Sequence, residues 1–166
     1  TTGEKAQSKL WFHQGEWWSV FSDNDATWLW RLDGDRWTRT LLLSTNPYAR
    51  ADYVLTAAGD LVHLLLFDAN NSTLVSVEYV HGSADGYQPW SVRPQAATVP
   101  VAWAAETATL ALDSSGRLWV AYDNVTQIEV RYSDAVDDYA TWSAPIVVTT
   151  GLSADDIGAV VAFDGR

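Results

Sequence analysis

Side chains that could bind a sugar recur between the apolar segments of this 166-residue sequence. Carboxylate, amide and guanidinium groups can bond sugar hydroxyls, and aromatic rings can pack on sugar faces. Their combination in an aromatic-rich chain predicts a glycan-binding site. The candidate ligand-binding residues are Arg50, Asp52, Tyr53, Glu106, Asp123, Asn124, Asp155 and Asp156.

Asp and Asn in turns also have a purely structural explanation. Both residues tolerate turn dihedrals and bond their own backbone, so they are common wherever two strands are joined. The same explanation applies to the turns 23–25 and 68–71, which are equally rich in Asp and Asn. For any single turn, the structural explanation is preferred to a ligand contact.

Catalysis is a second interpretation of the acidic residues. Asp52 and Glu106 could form a carboxylate pair for glycoside hydrolysis, provided that their separation suits that mechanism. Acids are abundant here, because the chain has 21 Asp and Glu residues and only ten Lys and Arg residues. The pair therefore has little support from sequence alone, and no catalytic residue is predicted.

The sequence predicts no metal site and no cofactor. There is no cysteine, and the three histidines show no ligand spacing. Calcium binding by Asp23 and Asp25, or by Asp155 and Asp156, remains an unsupported alternative, because Ca²⁺ takes oxygen ligands but no twelve-residue loop pattern is present.

The elements that position these residues are short strands. The segment Thr107–Trp142 contains a hairpin around Gly116, a second turn at Asp123-Asn124 and a third strand in which Ile128 and Val130 alternate with polar residues. A fourth strand follows the turn after Ser133. The segment thus predicts one unit of four antiparallel strands.

This unit recurs along the chain. The turn glycines Gly15, Gly59, Gly116 and Gly165 are 44, 57 and 49 residues apart. The tryptophans predicted to open each fourth strand, Trp37, Trp90 and Trp142, are 53 and 52 residues apart. A period near 50 residues is typical of the blades of a β-propeller.

An all-β fold of four-stranded antiparallel blades is therefore predicted, as one domain over residues 1–166. The expected blades span 8–43, 50–95 and 106–149, followed by the first strand of a fourth blade at 157–163. Because a propeller needs at least four blades, we expect either that the chain is a fragment, with its remaining blades in a longer parent chain, or that a second copy completes the ring.

Composition limits the partners. The formal net charge is -11, and Lys5 and Lys9 are the only lysines. Such a charge disfavours phosphate backbones and anionic membranes, so no nucleic-acid partner is expected. No apolar run is long enough to predict membrane insertion.

The turn before Trp90 resembles the Asp-box, or bacterial neuraminidase repeat. In the segment Ser83-Ala84-Asp85-Gly86-Tyr87-Gln88-Pro89-Trp90 the Ser, Asp and Trp keep the family spacing, but Tyr87 stands where the motif has glycine. The segment 133–143 keeps both ends of the motif with two residues inserted, and the turn before Trp37 is too short. The chain thus resembles the sialidase-like propeller superfamily.

The resemblance implies structural roles and a location. Asp-box residues stabilise a turn and pack between strands, so Ser83, Asp85, Trp90, Trp37 and Trp142 are expected to be structural. Such proteins are exported, which implies an extracellular, cell-surface or periplasmic location. Sialidase activity in the family needs an Arg-Ile-Pro motif, and this sequence has none.

Three functions are consistent with these observations. The first is a non-catalytic module that binds glycans or protein. The second is part of a glycoside hydrolase or polysaccharide lyase whose catalytic residues lie largely outside this chain. The third is a structural homo-oligomer that closes a propeller ring.

Overall fold

The computed structural model describes residues 8–48, 50–153 and 158–163, and these residues form strands, turns and loops without helices. Short runs of alternating and β-branched residues between turn residues favour strands of this length. The strands are β1 (Leu10–His13), β2 (Glu16–Ser22), β3 (Thr27–Asp33), β4 (Arg36–Ser44), β5 (Arg50–Leu55), β6 (Leu61–Phe67), β7 (Thr73–Tyr79), β8 (Tyr87–Pro89), β9 (Ala97–Thr98), β10 (Ala108–Leu112), β11 (Leu118–Asn124), β12 (Gln127–Tyr132) and β13 (Ile146–Thr150).

Three antiparallel sheets result, so the predicted all-β class is confirmed. Sheet 1 has the order β1-β2-β3-β4, sheet 2 the order β5-β6-β7-β8, and sheet 3 the order β10-β11-β12-β13. In each sheet the strands follow chain order, because each is joined to the next by a local turn. The short strand β9 pairs with β7 beyond the end of β8, within a segment predicted to be only a connection.

Glycine at the first turn of each sheet has a backbone reason. Gly15, Gly59 and Gly116 have φ values of 82°, 79° and 81°, a region that side chains disfavour and glycine adopts readily. Gly165, predicted to mark a fourth such turn, lies outside the described residues.

Sheet 2 lies between the other two and buries both of its faces. Leu64 and Leu66 pack with Trp18 of sheet 1 in one apolar cluster, whereas Leu65 packs with Val120 of sheet 3 in another. Successive side chains of a strand point to opposite faces, so the apolar run of β6 supplies both clusters.

Several polar groups inside these clusters are hydrogen-bonded. Buried His63 contacts Ser76 Oγ through Nδ1 at 2.8 Å and the Tyr139 hydroxyl through Nε2 at 3.4 Å. Between sheets 1 and 2, the Trp11 indole N–H donates to the Tyr87 hydroxyl at 3.2 Å. These bonds offset the cost of burying polar atoms.

Two of the predicted strand starts are wrong. Trp90 lies just after β8 rather than opening it, and its ring packs in the cluster between sheets 2 and 3. Trp142 forms an isolated bridge with Ser133, and β13 begins only at Ile146. The turn before β13 is therefore longer than predicted. Buried Tyr139 packs in the core within this turn, and its carbonyl accepts a hydrogen bond from the Trp142 indole. Trp37 does stand at the start of its fourth strand.

The segment predicted as a further strand at 157–163 is described only from residue 158, and residues 158–163 carry no strand. They nevertheless lie beside sheet 3. The Val160 amide donates to Thr109 Oγ1 at 3.0 Å, and Gly158 lies against Ile128. A strand is defined by its ladder of bonds to a neighbouring strand, and the described residues offer this segment no such ladder.

Candidate functional site

A cavity in the described part of the chain opens where three loops meet. These loops are the connection before β5, the turn after β6 and the segment before β10. The cavity has a volume of about 650 Å³, within the range typical of ligand sites. It is lined by Asn46, Pro47, Tyr48, Arg50, Phe67, Asp68, Ala69 and Ala105.

Arg50 is the cationic group of this cavity. Its Nη1 donates to the Glu106 carbonyl, and its guanidinium lies 5.9 Å from the centre of the Phe67 ring. These contacts hold the side chain across the gap between sheet 2 and the segment before β10. A guanidinium has five N–H donors in a planar fork, so a fixed Arg50 could also bond hydroxyl or carboxylate oxygens.

The loop that carries Tyr48 is fixed to sheet 1. The Thr27 hydroxyl donates to the Asn46 carbonyl at 2.7 Å and accepts from the Tyr48 amide at 2.8 Å. The Ser22 hydroxyl donates to the Tyr48 carbonyl. The cavity wall is therefore held in place by internal bonds before any ligand arrives, which reduces the ordering cost of binding.

The turn after β6 supplies the acidic side of the cavity. Exposed Asp68 and half-buried Ala69 line the cavity. The Ser72 hydroxyl accepts from the Asp68 amide at 3.0 Å and donates to the Ala69 carbonyl at 2.6 Å. A side chain of this turn thus bonds the backbone of the same turn, in line with the structural explanation for polar residues in turns. The turn also presents the Asp68 carboxylate to the cavity.

Trp103 is highly exposed beside this region. The Ala105 amide donates to the Ala102 carbonyl at 3.1 Å, which closes a tight turn with Trp103 inside it. Ala105 lines the cavity, whereas Trp103 is 78% exposed. A β-turn keeps its first and last Cα atoms within about 7 Å, so the Trp103 backbone lies close to Ala105 of the cavity lining.

Asp123, predicted to bind ligand, bonds the backbone of the segment before β10. Its carboxylate is buried and accepts from the amides of Glu106 and Thr107 at 3.0 Å. Asn124 donates to Glu129 Oε1 at 2.8 Å. Both residues lie outside the cavity lining. Asp123 fixes the segment before β10, which follows directly on the lining residue Ala105.

Asp52 and Tyr53 belong to a second, smaller cavity. It measures about 370 Å³ and lies between β5, β10 and residues 159–160. Buried Asp52 accepts from the Leu110 amide at 2.7 Å. Burial raises the pKa of this carboxyl to about 6, although bonds from the amides of Leu110, Tyr53 and Ser8 oppose the rise.

The structure therefore separates the predicted residues. Arg50 and the Glu106 carbonyl meet at the first cavity, whereas Asp52 contacts Leu110, four residues after Glu106 and about 13 Å along an extended strand. Asp155 and Asp156 lie outside the described residues. Sequence reasoning missed Tyr48 and Phe67, which line the cavity, and Trp103, whose turn ends at the lining residue Ala105. A tryptophan in a loop was the available signal for Trp103.

The acidic turns are occupied by internal bonds. Asp23 accepts from the amides of Asp25 and Ala26 at 2.9 and 2.8 Å and pairs with Arg39 Nη2 at 2.7 Å. Among the described residues, no group of three or more His, Cys, Asp or Glu side chains could hold a metal ion.

Comparison with protein-family models and with curated proteins finds no match to this sequence. No helix in the described ranges is long and apolar enough to cross a membrane.

Proposed function

We propose that this chain is a non-catalytic binding module of an exported, sialidase-like propeller protein, and that the cavity around Arg50 takes a glycan. The observation that carries the proposal is the lining itself. A guanidinium, a carboxylate and two aromatic rings, those of Tyr48 and Phe67, share one cavity of about 650 Å³. Sugars present both hydroxyls and apolar ring faces, which such a lining complements.

The propeller arrangement is part of this proposal. It is supported by three antiparallel sheets in chain order that stack through the apolar clusters on the two faces of sheet 2. The cavity lies where the connections between successive sheets meet the turns after the second strands. In propellers, loops at such an end are where ligands bind.

Trp103 tests the glycan site. Replacing it with Ala should weaken the binding of a sugar found on a glycan array about tenfold, because an exposed indole that stacks on a sugar contributes on the order of 1.4 kcal/mol. Calorimetry on the intact chain would measure the change. Val92→Ala is the matched control, because Val92 is also an exposed apolar side chain in a tight turn, but its turn, unlike that of Trp103, contains no residue of the cavity lining.

Two results would contradict the glycan proposal. If the array showed no bound glycan, only recognition of a protein partner would remain for this cavity. If Trp103→Ala and Val92→Ala weakened binding equally, the site would lie elsewhere.

A glycosidase role is the alternative, and one observation favours it. The raised pKa of Asp52, about 6, suits a general acid, and this carboxyl lies beside the 370 Å³ cavity. Against it, the carboxylate already accepts from backbone amides, and Glu106 is not beside it. Hydrolysis of aryl glycosides by wild type but not by Asp52→Asn would support the enzyme and displace the binding module.

A further inference from the structure

Sheet 1 has an aromatic face that no described element covers. Trp11, Trp18, Val20 and Leu29 point from sheet 1 into the cluster with sheet 2. Their sequence neighbours therefore point to the opposite side. This opposite side, called here the aromatic face, carries Leu10, Phe12, Trp17, Phe21, Trp28, Trp30, Trp37 and Leu42.

The aromatic face is substantially open to solvent. Leu10, Phe12 and Trp17 are 48%, 56% and 44% exposed, and the other rings of the face are half-buried. Folded proteins rarely leave so many large apolar side chains together on their surface unless the patch binds a partner.

The angles between the rings favour another β-sheet as the partner of this face. The rings of Phe12 and Trp17 are inclined at 58°, and those of Phe21 and Trp37 at 85°. Tilted rings make a ridged surface, and edge-to-face contacts between rings are favourable in packed contacts. The contact between sheets 1 and 2 uses the same geometry, with Trp18 and Tyr87 at 89°. The aromatic face thus resembles one half of a sheet-to-sheet contact.

The charge on this face is already neutralised. Arg39 pairs with Asp23 Oδ2 at 2.7 Å, and its guanidinium lies 5.2 Å from the ring centres of both Trp28 and Trp30. Covering the face would therefore bury an ion pair rather than an isolated charge, which avoids the larger desolvation cost.

The other outer sheet offers a less open surface. Residues 158–163 lie along the free side of sheet 3, where the Val160 amide bonds Thr109 Oγ1 and Gly158 lies against Ile128. A second molecule could not stack closely on that side without displacing this segment. The aromatic face is thus the surface on which a further sheet can stack directly.

We propose that the aromatic face binds the same face of a second copy of this chain in a twofold-symmetric dimer. One self-complementary patch is sufficient for such a dimer, and it continues the face-to-face stacking that joins sheets 1, 2 and 3. Eight partly exposed apolar side chains offer on the order of 600 Å² per copy, close to the roughly 800 Å² of a standard interface. A weak dimer, with a dissociation constant on the order of 10 µM, is expected, because the net charge of -11 on each copy opposes association.

The dimer inference goes beyond the proposed function and does not depend on it, because the dimer needs no ligand. Sedimentation velocity of the intact chain from 1 to 200 µM should show the mass rising from 18.3 kDa to twice that value. Phe12→Ser should weaken the association at least tenfold. The matched control is Phe163→Ser, because Phe163 is 83% exposed but lies outside the aromatic face, and it should leave the dimer intact.

Salt provides a second readout. Each copy carries a formal net charge of -11, so the two copies repel one another at low ionic strength and less so when salt screens the charges. The dimer should therefore tighten severalfold between 20 and 300 mM NaCl. Near-UV circular dichroism of Phe12→Ser and Phe163→Ser would verify that both variants are folded.

Three results would overturn the dimer. These are a monomer at every concentration and salt, growth beyond two copies, and equal weakening by Phe12→Ser and Phe163→Ser. Sugar binding measured at 1 µM, where the chain is mainly monomeric, would remain interpretable in each case, so failure of the dimer and failure of the glycan site are separable.

Discussion

At the scale of single residues, three aspartates that look alike in sequence have different roles. Asp123 holds the segment before β10. Asp113 lies in the first turn of sheet 3, where burial of its carboxyl is outweighed by bonds from Ser115, Trp119 and Arg117 that lower its pKa to about 2. Asp52, by contrast, has a raised pKa because burial dominates. The local sequence does not distinguish these three roles, because each role depends on the groups that the tertiary structure places around the carboxyl.

Asp52 should make stability depend on pH. Its pKa is about 6 in the folded chain and near 3.8 when exposed, so the folded state holds the proton more tightly between those values. The free energy of unfolding that it contributes is therefore fully present below pH 4 and lost as pH rises to about 6. Relative to Asp52→Asn, the wild type should lose about 2 kcal/mol between pH 4 and pH 7, measured by urea unfolding.

The difference between wild type and variant is the correct readout, because His63 acts in the opposite direction. Burial lowers its pKa from 6.5 to about 3, so its contribution is lost as pH falls. Asp35→Asn serves as the control, since Asp35 is exposed. A wild-type-to-Asp52→Asn difference that does not vary with pH would show that Asp52 is not desolvated in the folded chain.

At the scale of elements, the loop between β7 and β8 joins sheet 2 to sheet 1. The Ser83 hydroxyl accepts from the Asp85 amide at 3.3 Å, while the Asp85 side chain is exposed. Gly86 lies against the Trp18 ring, and Arg31 Nη1 donates to the Ala84 carbonyl at 2.6 Å. The segment 83–90 therefore packs at a sheet-to-sheet contact.

Gly86→Ala should show how closely this loop is packed. A Cβ at Gly86 would lie 2.4 Å from the Trp18 ring, and backbone φ is +74°. The expected cost is about 1 kcal/mol for the backbone plus about 1–3 kcal/mol for the clash. Thermal or urea unfolding would measure it.

Gly34→Ala is the matched control for this loop. Gly34 has a φ of +65° but no atom within 4 Å of an added Cβ, so only the backbone cost is expected. Equal destabilisation by the two substitutions would mean that the loop moves away from sheet 1 at no cost.

At the scale of the whole molecule, sheet 2 joins the two apolar clusters. Leu64 and Leu65 are neighbours in β6, are both fully buried, and belong to different clusters. Because every strand of sheet 2 is bonded to its neighbours, loss of packing on one face should weaken the other. The described sheets are therefore expected to unfold together.

Leu64→Ala and Leu65→Ala test this coupling. Each substitution should cost about 2–5 kcal/mol and lower one common unfolding midpoint. Six of the ten tryptophans, residues 11, 17, 18, 28, 30 and 37, belong to sheet 1, so fluorescence reports mainly on that sheet. A Leu65→Ala chain whose fluorescence midpoint stays at the wild-type value, at matched protein concentration, would show that sheet 3 unfolds independently.

The sequence by itself determined the first three strands of each sheet, their antiparallel order and the glycine turns, because alternation and turn chemistry act between residues that are close along the chain. Only the tertiary structure decided that Tyr48, Phe67 and Ala105 line one cavity with Arg50, and that Trp90 packs in a core beyond its strand. These placements depend on how the sheets stack. The stacking is set by the summed packing of side chains that are distant in sequence, and no local pattern contains it.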